Sequence, residues 1–266
     1  MSHATIRRTL IRSLHAAGLA LLASAVLTQA QAQTPAAVAG KGACDSSAVK
    51  PAANGRKPMN ILIVGASGMI GSRVAAEAAS RGHCVIGAAR HPEKVAAGPN
   101  VKAVKLDATD KAALSQLAKD ADVIVLATSP RGGGDPAQEA NAVGDAAIAA
   151  AKATGKRLFV VGGAGSLNLP NGQPFAETLP VAYRGEALAM RGVLNSLQAS
   201  SIDWTFFSPA ASISPGKKTG KYQLGTSTLL SDAKGDSKIS AEDYADALVN
   251  ELEKPAHRKS QMTIAY

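Results

Sequence analysis

The chain has 266 residues, of which 46% are hydrophobic, 3% aromatic and 18% charged. That length and apolar content suit one sizeable α/β domain whose core is built from Ala, Val, Leu and Ile. The net charge of +9 is not gathered into a Lys/Arg stripe interleaved with aromatics, which excludes a nucleic-acid partner; the two cysteines lack metal-site spacing, so no metal is expected.

The N-terminus reads as a targeting segment. Arg7, Arg8 and Arg12 form a positive region, Ala16 to Leu27 an apolar stretch too short to span a membrane comfortably, and Ala30-Gln31-Ala32 a small-residue cleavage site. Residues 1–32 are therefore assigned as a signal peptide of an exported, periplasmic protein, with no membrane insertion once it is cleaved. Arg7-Arg8-Thr9-Leu10-Ile11 partly matches a twin-arginine signal, although Ile6 stands where Ser or Thr is usual. Beyond residue 33, 26 basic and 20 acidic residues leave +6. Residues 33–58, rich in Ala, Gly, Pro, Ser and Lys without periodicity, read as a linker, and 59–266 as the folded domain. Cys84 falls in an apolar run and reads as a small buried hydrophobe; a disulfide with Cys44 is the alternative for an exported chain.

In chain order, Asn60–Val64 is the first predicted strand, followed by Gly65-Ala66-Ser67-Gly68-Met69-Ile70-Gly71 and a helix with Ile70, Val74 and Ala78 on one face. Strands follow at 83–89 and 101–106, a short helix at 111–119, and a continuous apolar strand at 122–127. An Ala-rich helix covers 135–154 and ends near Gly155; a strand covers 157–161, a helix 183–198 and a strand 204–207. Ser240-Ala241-Glu242-Asp243 reads as a capping box opening a helix with Tyr244, Ala247, Leu248 and Leu252 on one face, and 262–266 is a terminal strand. Strands alternating with helices at this spacing imply an α/β fold: a doubly wound parallel sheet with helices on both faces and a small C-terminal extension on the substrate side.

A buried strand running into G-x-x-G-x-x-G and then a helix is what a nucleotide-phosphate cradle requires. Gly65 permits the tight turn, Gly68 leaves room for backbone N–H groups to approach a pyrophosphate, and Gly71 lets the helix lie close on the sheet. Gly65, Ser67, Gly68, Met69 and Ile70 are expected to hold the pyrophosphate. Arg90 stands where an acid would grip an NAD ribose, and an Arg there fits a 2′-phosphate, so NADP(H) is favoured and NAD(H) is the alternative. Leu106 and Asp107 are placed beside adenine, although Asp107 could equally cap the following turn. Thr128 and Ser129 are placed on the nicotinamide-ribose side.

Further along, the chain carries Ala89-Arg90-His91-Pro92-Glu93-Lys94, Val160-Val161-Gly162-Gly163-Ala164-Gly165-Ser166-Leu167, Asp203-Trp204-Thr205-Phe206-Phe207-Ser208-Pro209-Ala210, Pro215-Gly216-Lys217-Lys218-Thr219-Gly220-Lys221-Tyr222 and Ile239-Ser240-Ala241-Glu242-Asp243-Tyr244. With the glycine loop, these segments resemble the atypical short-chain dehydrogenase/reductase group that includes NADH-flavin reductases and biliverdin-reductase-B-like flavin reductases, with NmrA-like relatives. The resemblance covers about residues 59–266. It implies a Rossmann-type fold and a reductase using a flavin (FMN, FAD or riboflavin) or another small planar molecule as acceptor. Ordinary members of the wider superfamily protonate a carbonyl with a Tyr-x-x-x-Lys pair. Here Tyr183 is followed by Ala187, Tyr222 by Thr226 and Tyr244 by Leu248. A flavin acceptor removes the need for that acid, and the protein then supplies position and exclusion of water. Gly163 and Ser166 are expected to border the acceptor pocket, with Ser208 and Pro209 on its far wall. Ser166 is a candidate donor to the acceptor and Tyr183 a residual acid, or else a helix-start aromatic packed on the core. Lys217, with Lys218, is placed to meet an anionic acceptor such as a flavin phosphate, or to be simply solvated. The alternatives are a non-catalytic NADP(H)-sensing protein and a sugar-nucleotide epimerase or dehydratase. The chain is expected to be a monomer or homodimer.

Overall fold

The computed structural model describes residues 57–266; the expected signal peptide and Cys44 lie outside the described residues. The elements run β1 (Asn60–Val64), α1 (Met69–Ser80), β2 (Cys84–Ala89), β3 (Val101–Lys105), α2 (Lys111–Ala118), β4 (Val123–Leu126), α3 (Pro136–Thr154), β5 (Arg157–Val161), α4 (Phe175–Thr178), α5 (Val181–Gln198), β6 (Trp204–Ser208), β7 (Ser212–Ser214), β8 (Gln223–Gly225), β9 (Lys238–Ser240), α6 (Ala241–Glu253) and β10 (Ser260–Ala265).

Eight strands form one sheet in the order β3-β2-β1-β4-β5-β6-β10-β8. Every pairing is parallel except that of β8, which runs antiparallel along β10. The fold is the Rossmann-type α/β arrangement, with the strand order reversing between β1 and β4. The central strands bury both faces. Ile61 and Ile63 of β1 join one core, with Val123, Val125, Phe159 and residues of α1 and α6. Leu62 and Val64 join the other, with Ile124, Leu126, Leu158, Val160 and residues of α2, α3 and α5. Such strands read as unbroken apolar runs because neither face meets water. The low aromatic content is spent centrally, where Phe207 stacks on Tyr244 at 4.3 Å between ring centroids and meets Phe159 edge-on.

The C-terminal extension is built from β7 and β9, a separate parallel pair, and from the segment 215–222. These strands were not expected from the sequence: each has three residues and no apolar alternation. Their anchor is Asp243, which is fully buried in α6. Its carboxylate accepts from the Thr219 and Gly220 N–H groups (both 2.8 Å), the Thr219 hydroxyl (2.7 Å) and the Tyr266 hydroxyl (2.8 Å). The capping box is half realised. Ser240 Oγ accepts from the Asp243 N–H at 3.0 Å, whereas the Ser240 N–H donates to the Tyr266 hydroxyl, not to Asp243. Cys84 is fully buried at the start of β2, as its apolar run implies, and is disulfide-bonded.

Burial works against ionisation of Asp243, but the Thr219 hydroxyl, the Gly220 N–H, the Tyr266 hydroxyl and the Thr219 N–H together hold its carboxyl below the ordinary aspartate value. A depressed native pKa contributes stability above the unfolded value of about 3.9 and loses it as pH falls through the native one. Asp243→Asn is expected to lower stability by about 2–3 kcal/mol near pH 7, measured by thermal or urea unfolding, with the gap to wild type narrowing as pH falls below about 4.

Candidate functional site

The carboxyl ends of the strands around the β1/β4 switch point open into one cleft of about 580 Å³. Its walls come from the β1–α1 turn, the segments after β2, β3 and β4, the start of α3, and Met190 and Val193 of α5. The turn is fixed by backbone crowding. Gly65 has φ +89°, and a Cβ there would lie 2.5 Å from the Ala127 carbonyl oxygen. A Cβ on Gly71 would lie 2.2 Å from the Gly65 carbonyl oxygen, so the first turn of α1 rests directly on the turn that precedes it. Gly68 is the N-cap of α1, in extended conformation, and brings no side chain to cap the helix. The first turn of α1 holds no acidic residue. Its N–H groups lack intrahelical partners and carry the positive end of the helix dipole. Room without a Cβ, free backbone donors and uncompensated positive potential fit a phosphate group.

Of the residues expected at the cofactor, Gly65, Ser67, Gly68, Arg90, Leu106, Asp107, Thr128 and Ser129 all line this cleft. Arg90 is exposed at the end of β2. Asp107 Oδ1 accepts from the Thr109 N–H at 3.0 Å and the Thr109 hydroxyl at 2.8 Å, so it does cap the turn after β3 while also lining the cleft. Those two bonds hold its carboxyl below the ordinary value, slight burial opposes them, and nearby Arg90 adds to the lowering. Met69, Ile70 and Gly71 lie one step back. Met69 begins α1 with its side chain 40% exposed, and Gly71 is the packing contact described above.

The residues expected on the acceptor side are not brought to the cleft. Ser166 and Ser208 are buried and joined to each other at 2.8 Å. Gln261 of β10 donates to both hydroxyls, at 3.0 and 2.9 Å, and the Ser166 hydroxyl also donates to the Gly163 carbonyl. With those partners the two serines close the seam between β5, β6 and β10, and neither has an O–H left to donate to an acceptor. Pro209 is buried beside them. Gly163 does not line the cleft either; it packs against Met190, which does. Tyr183 is 64% exposed on the first turn of α5, so it neither packs on the core nor lines the cleft. Lys217 lines a separate groove, and Lys218 is held by Glu77 and Asp246.

Sequence reasoning missed the rim after β4. Asp135 caps α3, Glu139 Oε2 accepts from the Gly132 N–H at 2.8 Å, and both line the cleft. Arg131 reaches across to Glu186 of α5 at 2.9 Å. The run Gly132-Gly133-Gly134-Asp135-Pro136, a flexible turn ending in an N-cap and a first-turn proline, was the available signal.

A family model described as NAD(P)H-binding matches residues 65–255, which begins at the first glycine of the cradle. The chain belongs to this NAD(P)H-binding family. Among solved structures, a candidate exported protein from Burkholderia pseudomallei is 41% identical, with a TM-score of 0.71, covering 78% of this chain and 100% of that one. A candidate epimerase from Bacteroides thetaiotaomicron is 36% identical, with a TM-score of 0.73, over 79% and 98% of the two chains. A candidate NADH-flavin reductase from Streptococcus pneumoniae is 29% identical, with a TM-score of 0.63, over 78% and 99%. The shared core is thus an NAD(P)H-binding, oxidoreductase-like domain.

The N-cap position separates helix stability from ligand binding. Gly68→Asp supplies a favourable cap to α1 and places a like charge against a pyrophosphate. A Cβ there lies 3.3 Å from the Gly65 carbonyl oxygen, so the cap is gained against some crowding: thermal unfolding is expected to shift little, while dinucleotide affinity, read by titration calorimetry, falls about tenfold or more.

Proposed function

We propose that the protein is an NAD(P)H-dependent reductase that prefers NADPH and delivers hydride to a planar acceptor of the flavin class. The observation that carries this reading is the packing of α5. Tyr183 stands in solvent, and the position four residues on is Ala187, which is buried. A Cβ on Gly165 would lie only 2.3 Å from the Ala187 Cβ. A lysine stem has no room at that contact, so the tyrosine–lysine acid used for carbonyl and sugar-nucleotide chemistry has no counterpart here. An acceptor that needs no enzyme-bound acid suits such a site, and the similarity to the Streptococcus protein described as a candidate flavin reductase agrees with it.

When bound, NADPH supplies the hydride. Ser67 and the backbone N–H groups of Met69 and Ile70 would hold the pyrophosphate at the start of α1, while Gly65 and Gly68, whose own N–H groups donate to the Ala88 and Gly65 carbonyls, would give it room. Arg90 offers a charged, forked donor to the 2′-phosphate. Leu106 and the free oxygen of Asp107 flank the adenine, and Thr128 and Ser129 orient the ribose next to the reactive ring. Met190, Val193 and Val143 give the cleft an apolar wall that excludes water from the reacting faces. The chain's part in the chemistry is therefore position and dryness.

We further propose export to the periplasm. The arginines, apolar stretch and Ala-x-Ala site of residues 1–32 support it, as does a disulfide-bonded Cys84, which suits an oxidising compartment. The Burkholderia relative described as a candidate exported protein agrees.

Oxidation of NADPH and NADH by the purified protein, with FMN or riboflavin added, tests the activity. Flavin-dependent turnover is the expected result; tight dinucleotide binding with no turnover would mark a sensor instead. Arg90→Asp is expected to reduce the preference for NADPH over NADH about tenfold, and an unchanged ratio would remove the assignment to Arg90. Among the described residues lining the cleft there is no His, Cys, Lys or Tyr, the side chains whose ordinary values lie nearest the working range. The rate constant for flavin reduction is therefore expected to stay level between about pH 6 and 9; a bell-shaped profile would reveal a protein acid.

A further inference from the structure

A second groove, of about 530 Å³, lies at the same edge of the sheet, beyond β6 and β10. Lys217, Lys221 and Lys238 line it, together with Ser214, Thr219 and Tyr266. No acidic side chain is among the described residues that line it. The carboxylates nearby are already engaged. Asp243 is surrounded by four donors, and Glu242 accepts from Arg73 at 2.6 Å and from the Gly216 N–H at 2.6 Å. Lys238 meets Asp236 at 3.2 Å, but both side chains are more than half exposed, and such a pair is readily exchanged. Tyr266 offers a fixed aromatic wall, because its hydroxyl donates to Asp243 and accepts from the Ser240 N–H. The groove thus combines an immobilised ring with three unneutralised or weakly paired ammonium groups.

Its position ties it to the cofactor cleft. From β4, the last strand whose end lines the cleft, to β10 is three strand steps, about 14 Å. A direct chain of contacts also joins the two. The Arg73 guanidinium donates to the Met69 carbonyl at 2.8 Å, at the first residue of α1, and to Glu242, which holds Gly216 in the floor of the groove.

We infer that this groove seats the phosphate-bearing arm of the acceptor, so that the substrate class is a phosphorylated planar molecule rather than its neutral parent. The inference rests on the proposed reductase reading for the identity of its ligand, and it is tested by binding, which does not require turnover. Ammonium groups act on phosphate as point charges, and exposed charges of this kind contribute modestly each and lose their effect in salt.

The experiment compares FMN with riboflavin, which differ by the phosphate, binding to the purified protein in the presence of NADP⁺ and followed by quenching of flavin fluorescence. FMN is expected to bind about tenfold more tightly than riboflavin at low ionic strength. The difference should vanish in the Lys217→Gln/Lys221→Gln/Lys238→Gln variant and in high salt. A variant with the same loss of charge on the other layer, Lys111→Gln/Lys119→Gln/Lys152→Gln, alters exposed residues of α2 and α3 and should keep the difference. Equal affinities in the wild type, a difference that survives the groove variant, or one lost equally in the control variant would each overturn the inference. Retained selective FMN binding without NADPH oxidation would uphold the groove and sink the reductase; oxidation with no FMN preference would do the reverse.

Discussion

The rest of the structure depends on a backbone contact that admits no Cβ. At the head of the sheet, the Gly65 turn presses on the Ala127 carbonyl and the first turn of α1 presses on the Gly65 carbonyl, with Gly71 at the contact. Two strands and a helix are thereby fixed to one another through main chain alone. Main chain cannot relax by changing rotamer, so the geometry of the cradle is set by sterics before any side chain is considered. The uncapped helix end, the position of Arg90 and the opening of the cleft follow from it, since each is measured from the ends of β1, β2 and β4.

A polar clamp on the opposite side of α1 carries that geometry to the C-terminal extension. Arg81, the C-cap of α1, reaches Glu77, Asp246, Glu253 and Asn250, and its side chain is only 15% exposed. Lys218 joins the same acids from the segment 215–222, and Tyr222 donates to Asp246 at 2.7 Å. Buried ionic groups of this sort add little net stability over an apolar replacement, but removing one partner leaves an uncompensated charge. Their effect here is to fix one docking of α6 and the segment 215–222 against α1.

The long elements were legible because their signals are redundant. A strand buried on both faces shows as Ile61–Val64 or Val123–Leu126 with no polar interruption, and α3 announces itself with Asp135, Pro136 and Gly155 at its ends. The cofactor side of the site was legible for a related reason: loops at the carboxyl ends of adjacent strands must meet at the switch point. The acceptor side was not. Whether Ser166 after β5 and Ser208 at the end of β6 face the cleft or the sheet seam depends on Gln261, 95 and 53 residues later in the chain, and no local pattern encodes that partner. The extension was hidden because Thr219 and Gly220 owe their positions to one buried carboxylate, not to periodicity. No local pattern signals the contact of His257 Nδ1 with the buried Glu251 carboxylate at 2.9 Å, where Arg157 also ends. Tyr183 misled because α5 begins at Val181, earlier than its apolar face does, and its first five residues stand in solvent.

The Ala187–Gly165 contact and the two grooves along the sheet edge belong to one argument. A helix carrying a catalytic lysine at that position would have to stand off from the loop after β5. Here the helix comes in until two small residues meet, which closes the space for an acid and firms the wall that Met190 and Val193 present to the cleft. A site without its own acid cannot select a substrate by protonating it. On the proposed reductase reading, selection comes from shape and charge along the route the substrate lies on, with positive groups at both ends of the edge: Arg90 beyond β2, and Lys217, Lys221 and Lys238 in the second groove. Between them the cleft has an apolar wall of Val143, Met190 and Val193. On that reading, a molecule that uses the whole edge is flat in its middle and anionic at its end, and the packing of α5 contributes to that constraint as much as the lysines themselves.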